Sequence, residues 1–162
     1  DEALGRPRRP GEAPGDGRDL LDAAGREVEA PDGPALQARL DALVDLLAGA
    51  ASAGPGSALV VAGLAHAEVA VVRPFVAGNG VVARALARAV LHDRGVDPTG
   101  VALWEAALLA YGPRYPLTLA AYATEGLAGV RAWLLLFAES LTDGAAEGRV
   151  ACDAVRAGRF DG

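Results

Sequence analysis

A glycine-rich segment near the middle of the chain has residue types that could bind phosphate. It lies between two apolar stretches of helical character and reads Val72-Arg73-Pro74-Phe75-Val76-Ala77-Gly78-Asn79-Gly80-Val81-Val82-Ala83-Arg84. Gly78, Asn79 and Gly80 can adopt backbone angles that turn several N–H groups toward one point. A helix that begins there adds the positive end of its dipole. The segment therefore predicts a phosphate cradle, and the alternative is a tight turn between two helices.

The same segment resembles the motif of the Fic (fido) family, usually written HPFx(D/E)GNGRxxR. The similarity extends to residues 64–68 before the segment and to residues 117–133 after it, so it covers residues 27–149. Most members of this family transfer AMP from ATP to a hydroxyl group of a target protein. The resemblance implies that a histidine takes the proton of that hydroxyl and an acid holds Mg²⁺. It also implies that the Gly-Asn-Gly loop and two arginines bind the phosphates of the nucleotide.

The chain departs from this motif at the positions that carry the chemistry. Arg73 stands at the histidine position, Ala77 at the acid position and Val81 at the first arginine position. An arginine stays protonated at neutral pH and cannot act as a general base. Alanine offers no oxygen to Mg²⁺, which usually binds through one or two carboxylates and the substrate phosphates. The ordinary reaction of the family is therefore expected to be very slow or absent.

The retained residues predict binding without transfer. We expect a regulatory pseudoenzyme, with no catalytic residue, that binds ATP, another nucleotide or another phosphate-bearing ligand and holds no Mg²⁺ through a carboxylate. Its expected binding residues are Arg73, Phe75, Gly78, Asn79, Gly80 and Arg84. One alternative is an active nucleotidyl- or phosphoryl-type transferase with a non-standard mechanism, in which Arg73 stabilises charge. Another is a structural or protein-interaction module.

Two histidines and several aromatic residues are further candidates. His66 precedes Arg73 by about two helical turns, which favours a hydrogen-bonded core histidine over a replacement base. His92 shares a helix face with Arg84 and Arg88, so it either extends an anion-binding strip or is a cation at a helix C-terminus. No metal site is expected from two histidines without nearby acids. One aromatic residue could stack on a nucleotide base, the candidates being Trp104, Tyr111, Tyr115, Tyr122, Trp133 and Phe137.

Composition limits the class of protein. The chain has 162 residues, 52% of them hydrophobic, a net charge of -6 and a single cysteine, which excludes wholesale disorder and an intrachain disulfide framework. The acidic balance argues against nucleic-acid binding, and no apolar stretch is long enough for a membrane helix. We expect a cytoplasmic, bacterial protein whose partner is a protein or a second copy of itself. Because the chain lacks methionine, we also expect it to be a fragment of a longer one.

The elements that must position the segment are mainly helices. Residues 1–19 predict an extended arm or linker, and residues 20–162 predict one Fic-like helical domain. Within the domain, residues 20–30 predict a short strand or flap, closed by a turn at residues 31–34. Apolar spacing predicts an all-α fold with at most a short β-hairpin flap. The predicted helices run from residue 34 to a stop at residues 54–56, and then over residues 57–72, 80–94, 98–110, 115–125, 127–141 and 145–157.

Overall fold

The computed structural model describes residues 4–15, 20–49 and 55–159. The described part is all-α: it holds six helices and no sheet, which confirms the predicted fold class. The helices are α1 (Gly33–Gly49), α2 (Pro55–Val72), α3 (Asn79–Asp93), α4 (Trp104–Ala110), α5 (Arg114–Thr124) and α6 (Gly126–Arg156).

Helix α2 runs through the centre of the domain, as its apolar sequence predicted. It packs against α1, α3, α5 and α6. Many of its residues are alanines or valines, and Ala62, Ala65 and Ala67 are completely buried. Small side chains let neighbouring helices approach closely, so most of the helix surface is covered by protein.

Large aromatic side chains fill the space between α2, α4 and α6. Trp104, Trp133 and Phe137 are fully buried, and they pack at ring-centroid distances of 5.3 and 5.9 Å. The indole N–H of Trp133 donates a hydrogen bond of 2.7 Å to the carbonyl of Gly63 in α2. This bond ties the longest helix to the central one and satisfies a buried polar group.

A short hairpin precedes α1, as the sequence predicted. Leu21 and Glu27 form an antiparallel bridge, and the Val28 N–H donates to the Leu20 carbonyl at 2.7 Å. Leu20 and Val28 are buried against the helical core. The flap therefore belongs to the same packed unit as the helices.

The start of the fourth helix differs from the prediction. A helix was predicted over residues 98–110, but residues 98–103 are not helical and α4 begins at Trp104. The carboxylate of Asp97 accepts hydrogen bonds from the N–H groups of Val101 and Ala102, at 3.1 and 3.2 Å. An Asp side chain that binds the backbone in this way competes with the helix for the same donors.

The break predicted at Asp143 and Gly144 is absent, because α6 continues through both residues to Arg156. A Cβ added at Gly144 would lie 2.3 Å from the backbone nitrogen of Trp104. The Gly144 carbonyl also accepts a hydrogen bond of 2.9 Å from the Leu103 N–H. This glycine permits a close approach between α6 and the start of α4, and the approach explains its presence inside a helix.

The boundary between the first two helices differs from the prediction, which ended the first helix at residues 54–56. Helix α1 ends at Gly49, whereas Pro55 and Gly56 form the first turn of α2. Proline is tolerated in a first turn because its missing N–H would have no partner inside the helix. Residue 54, with which the predicted stop begins, lies outside the described residues.

Candidate functional site

The glycine-rich segment forms a braced loop between α2 and α3. Gly78 has a φ of 86°, in the left-handed region, and caps the start of α3. The side chain of Asn79 closes the loop: its Oδ1 accepts from the Phe75 N–H, and its Nδ2 donates to the Phe75 carbonyl, both at 2.9 Å. The predicted loop between two helices is therefore present, and the amide of Asn79 holds its shape.

Arg84 lies one turn inside α3 and extends back over the start of that helix. Its Nη1 is 3.2 Å from the position that a Cβ would occupy at Gly80. Helical side chains point toward the N-terminus, and a residue without a side chain leaves room for the guanidinium. Across the described ranges, no carboxylate forms an ion pair with Arg84. Its charge therefore adds to the positive end of the α3 dipole.

Two side chains beneath this arginine respond to its charge. His66 is completely buried, and its Nε2 lies 2.7 Å from the hydroxyl oxygen of Tyr115. Burial, assisted by the charge of Arg84, lowers the pKa of His66 to about 3. Burial raises the pKa of Tyr115, and Arg84 opposes that rise through its charge and a side-chain hydrogen bond to Tyr115. His66 is thus a neutral core histidine stacked on Trp133 at 5.2 Å, which excludes it as a replacement base.

Arg73 has different neighbours from the other predicted binding residues. It is only 8% exposed, and its Nη2 donates to the Val28 carbonyl of the hairpin at 3.1 Å. Its φ of 47° is unusual for a residue with a side chain. The structure groups Phe75, Gly78, Asn79, Gly80 and Arg84 along the loop and the first turns of α3. It places the guanidinium of Arg73 with the hairpin instead.

The N-terminal arm lies along the outside of the loop. Residues 5–15 and the loop share four main-chain hydrogen bonds of 2.6 to 3.1 Å, which involve Pro74, Val76 and Ala77. Leu4 packs on Gly78, since a Cβ added to that glycine would lie 2.4 Å from its Cδ1. The sequence indicated an extended arm or linker but not this position. Segments without apolar periodicity show no packing partner in their sequence.

The other sequence candidates have structural roles. Arg88 donates through Nε to Glu105 at 2.8 Å and through Nη1 and Nη2 to the carbonyls of Gly100 and Ala102. These bonds hold Arg88 to the loop before α4. Arg88 therefore does not form an anion-binding strip with the exposed His92. Of the aromatic candidates outside the buried core, the hydroxyls of Tyr111 and Tyr122 donate to Asp143 and Glu68.

Neither a metal cluster nor a membrane-spanning helix is found in the part of the chain that the structure describes. In residues 4–15, 20–49 and 55–159, no group of three or more His, Cys, Asp or Glu side chains is placed to hold a metal ion. Ala77, at the position where the family resemblance implies a Mg²⁺ ligand, has no side-chain oxygen. No helix in these ranges is both long and apolar enough to cross a membrane.

Comparison with known proteins gave no relative. No family model matches the chain, and neither a curated protein nor a solved structure is similar to it.

Proposed function

We propose that this chain is a Fic-like domain that binds a phosphate-bearing ligand, in the first place a nucleotide, at the N-terminal end of α3 and transfers no group from it. The observation that carries the proposal is the position of Arg84. Its guanidinium lies over Gly80 at the positive end of α3 and forms no ion pair with a described carboxylate. Phosphate oxygens would accept its forked N–H donors. The single cysteine is in keeping with a reducing compartment such as the cytoplasm.

The absence of transfer follows from the residues at the two positions that the family uses for chemistry. Arg73 cannot accept a proton at neutral pH, and one of its donors is bound to the Val28 carbonyl. Ala77 has no oxygen for a metal ion. Loss of a general base alone lowers a rate by about 10² to 10⁴. Binding therefore remains, while turnover does not.

Calorimetry with the whole chain tests this proposal. ATP, ADP, AMP and inorganic phosphate are titrated at low salt, with and without Mg²⁺. Binding of at least one nucleotide is expected, and Arg84→Ala should weaken it by about 10- to 100-fold, because a hydrogen bond to a charged group is lost. Arg131→Ala is the matched control, because Arg131 is an exposed arginine on α6 and should leave the affinity unchanged.

Two results would contradict the proposal. An affinity that is equal in wild type and Arg84→Ala would remove the binding site from α3. Transfer of radiolabel from ATP to protein in a cell lysate, lost in Arg84→Ala, would show instead that the chain is a transferase with a non-standard mechanism.

A further inference from the structure

A cavity of about 260 Å³ lies between the N-terminal arm and the hairpin, away from Gly80 and Arg84. We call it the arginine-pair cavity. Two arginines from distant parts of the chain line it, one from the arm and one from the loop after α2. Its charged lining residues are Arg8, Glu12, Glu27, Glu29, Asp32 and Arg73.

Both arginines of the cavity are buried, and both keep a donor without a partner. The side chain of Arg8 is 2% exposed and Arg73 is 8% exposed. Each uses Nη2 to bind a carbonyl, Arg8 that of Pro31 at 2.6 Å and Arg73 that of Val28 at 3.1 Å. The Nε of each is buried and has no acceptor among the residues that the structure describes. Buried donors are almost always satisfied, so two beside one cavity indicate an acceptor that the described residues do not supply.

The acids of the cavity restrict what that acceptor can be. Glu12 is already bound by Arg6 at 2.6 Å, and Asp32 accepts from the Gly11 N–H at 2.5 Å and forms an ion pair with Nη2 of Arg8 at 3.8 Å. Glu27 and Glu29 are exposed, so they form a negative rim over the buried arginines. A doubly charged phosphate would meet repulsion there. A molecule with a carboxylate and a nearby ammonium group would avoid this repulsion. Its carboxylate would pair with the buried arginines, and its ammonium group would pair with the carboxylates at the rim.

We propose that the arginine-pair cavity binds a small zwitterion of the amino-acid class. Its carboxylate accepts hydrogen bonds from Nε of Arg8 and Arg73 once these side chains, whose Nε atoms have almost no accessible surface, turn toward the cavity, and its ammonium group faces Glu27 and Glu29. The volume fits a small molecule, since drug-sized ligands occupy pockets of about 300 to 1,000 Å³. This site is separate from the one proposed at α3 and does not depend on it.

Nuclear magnetic resonance of the whole chain, labelled with ¹⁵N-arginine, tests the proposal. The twenty standard amino acids are titrated individually, with acetate, methylammonium and inorganic phosphate as partial probes. At least one amino acid should shift the Nε–H signals of Arg8 and Arg73. Acetate and methylammonium should each bind about tenfold or more weakly than that amino acid, because each makes only half of the contacts.

Two variants test the arginine contacts and the glutamate rim of the site separately. Arg8→Lys keeps a positive charge but removes the Nε donor, and it should lower the affinity for the amino acid by about tenfold. Glu29→Gln alters only the exposed rim, so it keeps the proposal testable if the buried variant fails to fold. It should weaken amino-acid binding by about threefold and strengthen acetate binding. Arg131→Lys, an exposed change on α6, should alter neither.

Three outcomes would overturn the inference. One is that no amino acid moves the two Nε–H signals. Another is that acetate binds as tightly as any amino acid and Glu29→Gln has no effect. A third is that phosphate alone shifts the signals, which would make the cavity a phosphate site and leave the binding at α3 to be decided by Arg84→Ala.

Discussion

Arg73, Arg84 and Arg88 show that the donors an arginine leaves unused determine what it can bind. Arg88 uses all three nitrogens of its guanidinium on Glu105 and on the carbonyls of Gly100 and Ala102, so it fixes a loop. Arg73 keeps a buried Nε without an acceptor in the described chain. Arg84 forms no ion pair with a described carboxylate. Arg73 and Arg84 therefore keep capacity for a ligand that Arg88 lacks.

His66 gives a prediction for stability against pH. Its pKa is about 3 in the folded chain, against an ordinary value of 6.5. The unfolded chain therefore takes up a proton below pH 6.5 that the folded chain does not bind until near pH 3. The free energy of unfolding should fall by about 2 kcal/mol from pH 7 to pH 5. Urea denaturation followed by circular dichroism at several pH values measures this slope.

The control for this prediction is the other histidine. His66→Gln should flatten the slope between pH 7 and pH 5, whatever its effect on absolute stability, whereas His92→Gln should keep it because His92 is exposed. Carboxylates such as Glu12 and Glu139, whose pKa values are lowered by their arginine partners, contribute mainly below about pH 4.5. An unchanged slope in His66→Gln would show that this histidine is not the source.

Helices could be predicted where apolar spacing was regular, and the errors occurred where a side-chain hydrogen bond to the backbone or a tertiary contact determines the ends. The body of α2 and the end of α3, whose C-cap Arg94 is followed by Gly95 with a φ of 71°, follow from local signals. The late start of α4 depends on Asp97, and the continuity of α6 depends on Gly144 packing on a residue 40 positions earlier. The contact of Gly144 has no signature in a sequence window, whereas Asp97 binds N–H groups only four and five residues ahead, a local effect that apolar spacing does not show.

The candidate site, too, could be predicted from the sequence only in part. The Gly-Asn-Gly loop and Arg84 lie within a few residues of each other, so their proximity could be predicted. The partner of Arg73 could not, because the Val28 carbonyl is 45 residues away in sequence. Nor could the position of the arm, which is set by main-chain hydrogen bonds that any residue can form.

Gly144 gives a prediction about how the helices fit together. Gly144→Ala should destabilise the fold by about 1 to 3 kcal/mol, because the new Cβ would clash with the backbone at Trp104. Gly56→Ala is the matched control: this glycine is also helical, but nothing lies within 4 Å of its Cβ position. That change should be neutral or stabilising by about 0.5 to 1 kcal/mol, from helix propensity alone. Thermal unfolding of the two variants compares them, and equal losses would rule out the close approach as the cause.

The N-terminal arm connects the two proposed sites and should affect them in opposite directions. Its backbone lies along the loop at Pro74 and Ala77, and its first described residue, Leu4, covers Gly78 at the start of α3. Its Arg8 supplies one of the two buried donors of the arginine-pair cavity. The arm therefore obstructs one site and builds the other. No residue of 4–15 belongs to the buried core cluster, so the helical domain does not need the arm for its core.

Removal of residues 1–12 should separate the two sites in one experiment. Nucleotide binding at α3 should become about tenfold tighter, because the ligand no longer has to displace the arm. Amino-acid binding should be lost, since Arg8 and one wall of the cavity are gone. Calorimetry with ADP and with the amino acid found for the full chain measures both affinities, and circular dichroism checks that the helices persist.

Leu4→Gly is a smaller change that tests the same point: it uncovers Gly78, keeps Arg8, and should strengthen nucleotide binding while leaving amino-acid binding intact. Loss of both affinities in a folded truncated chain would mean that the arm forms part of the nucleotide site, and unchanged affinities would mean that it belongs to neither.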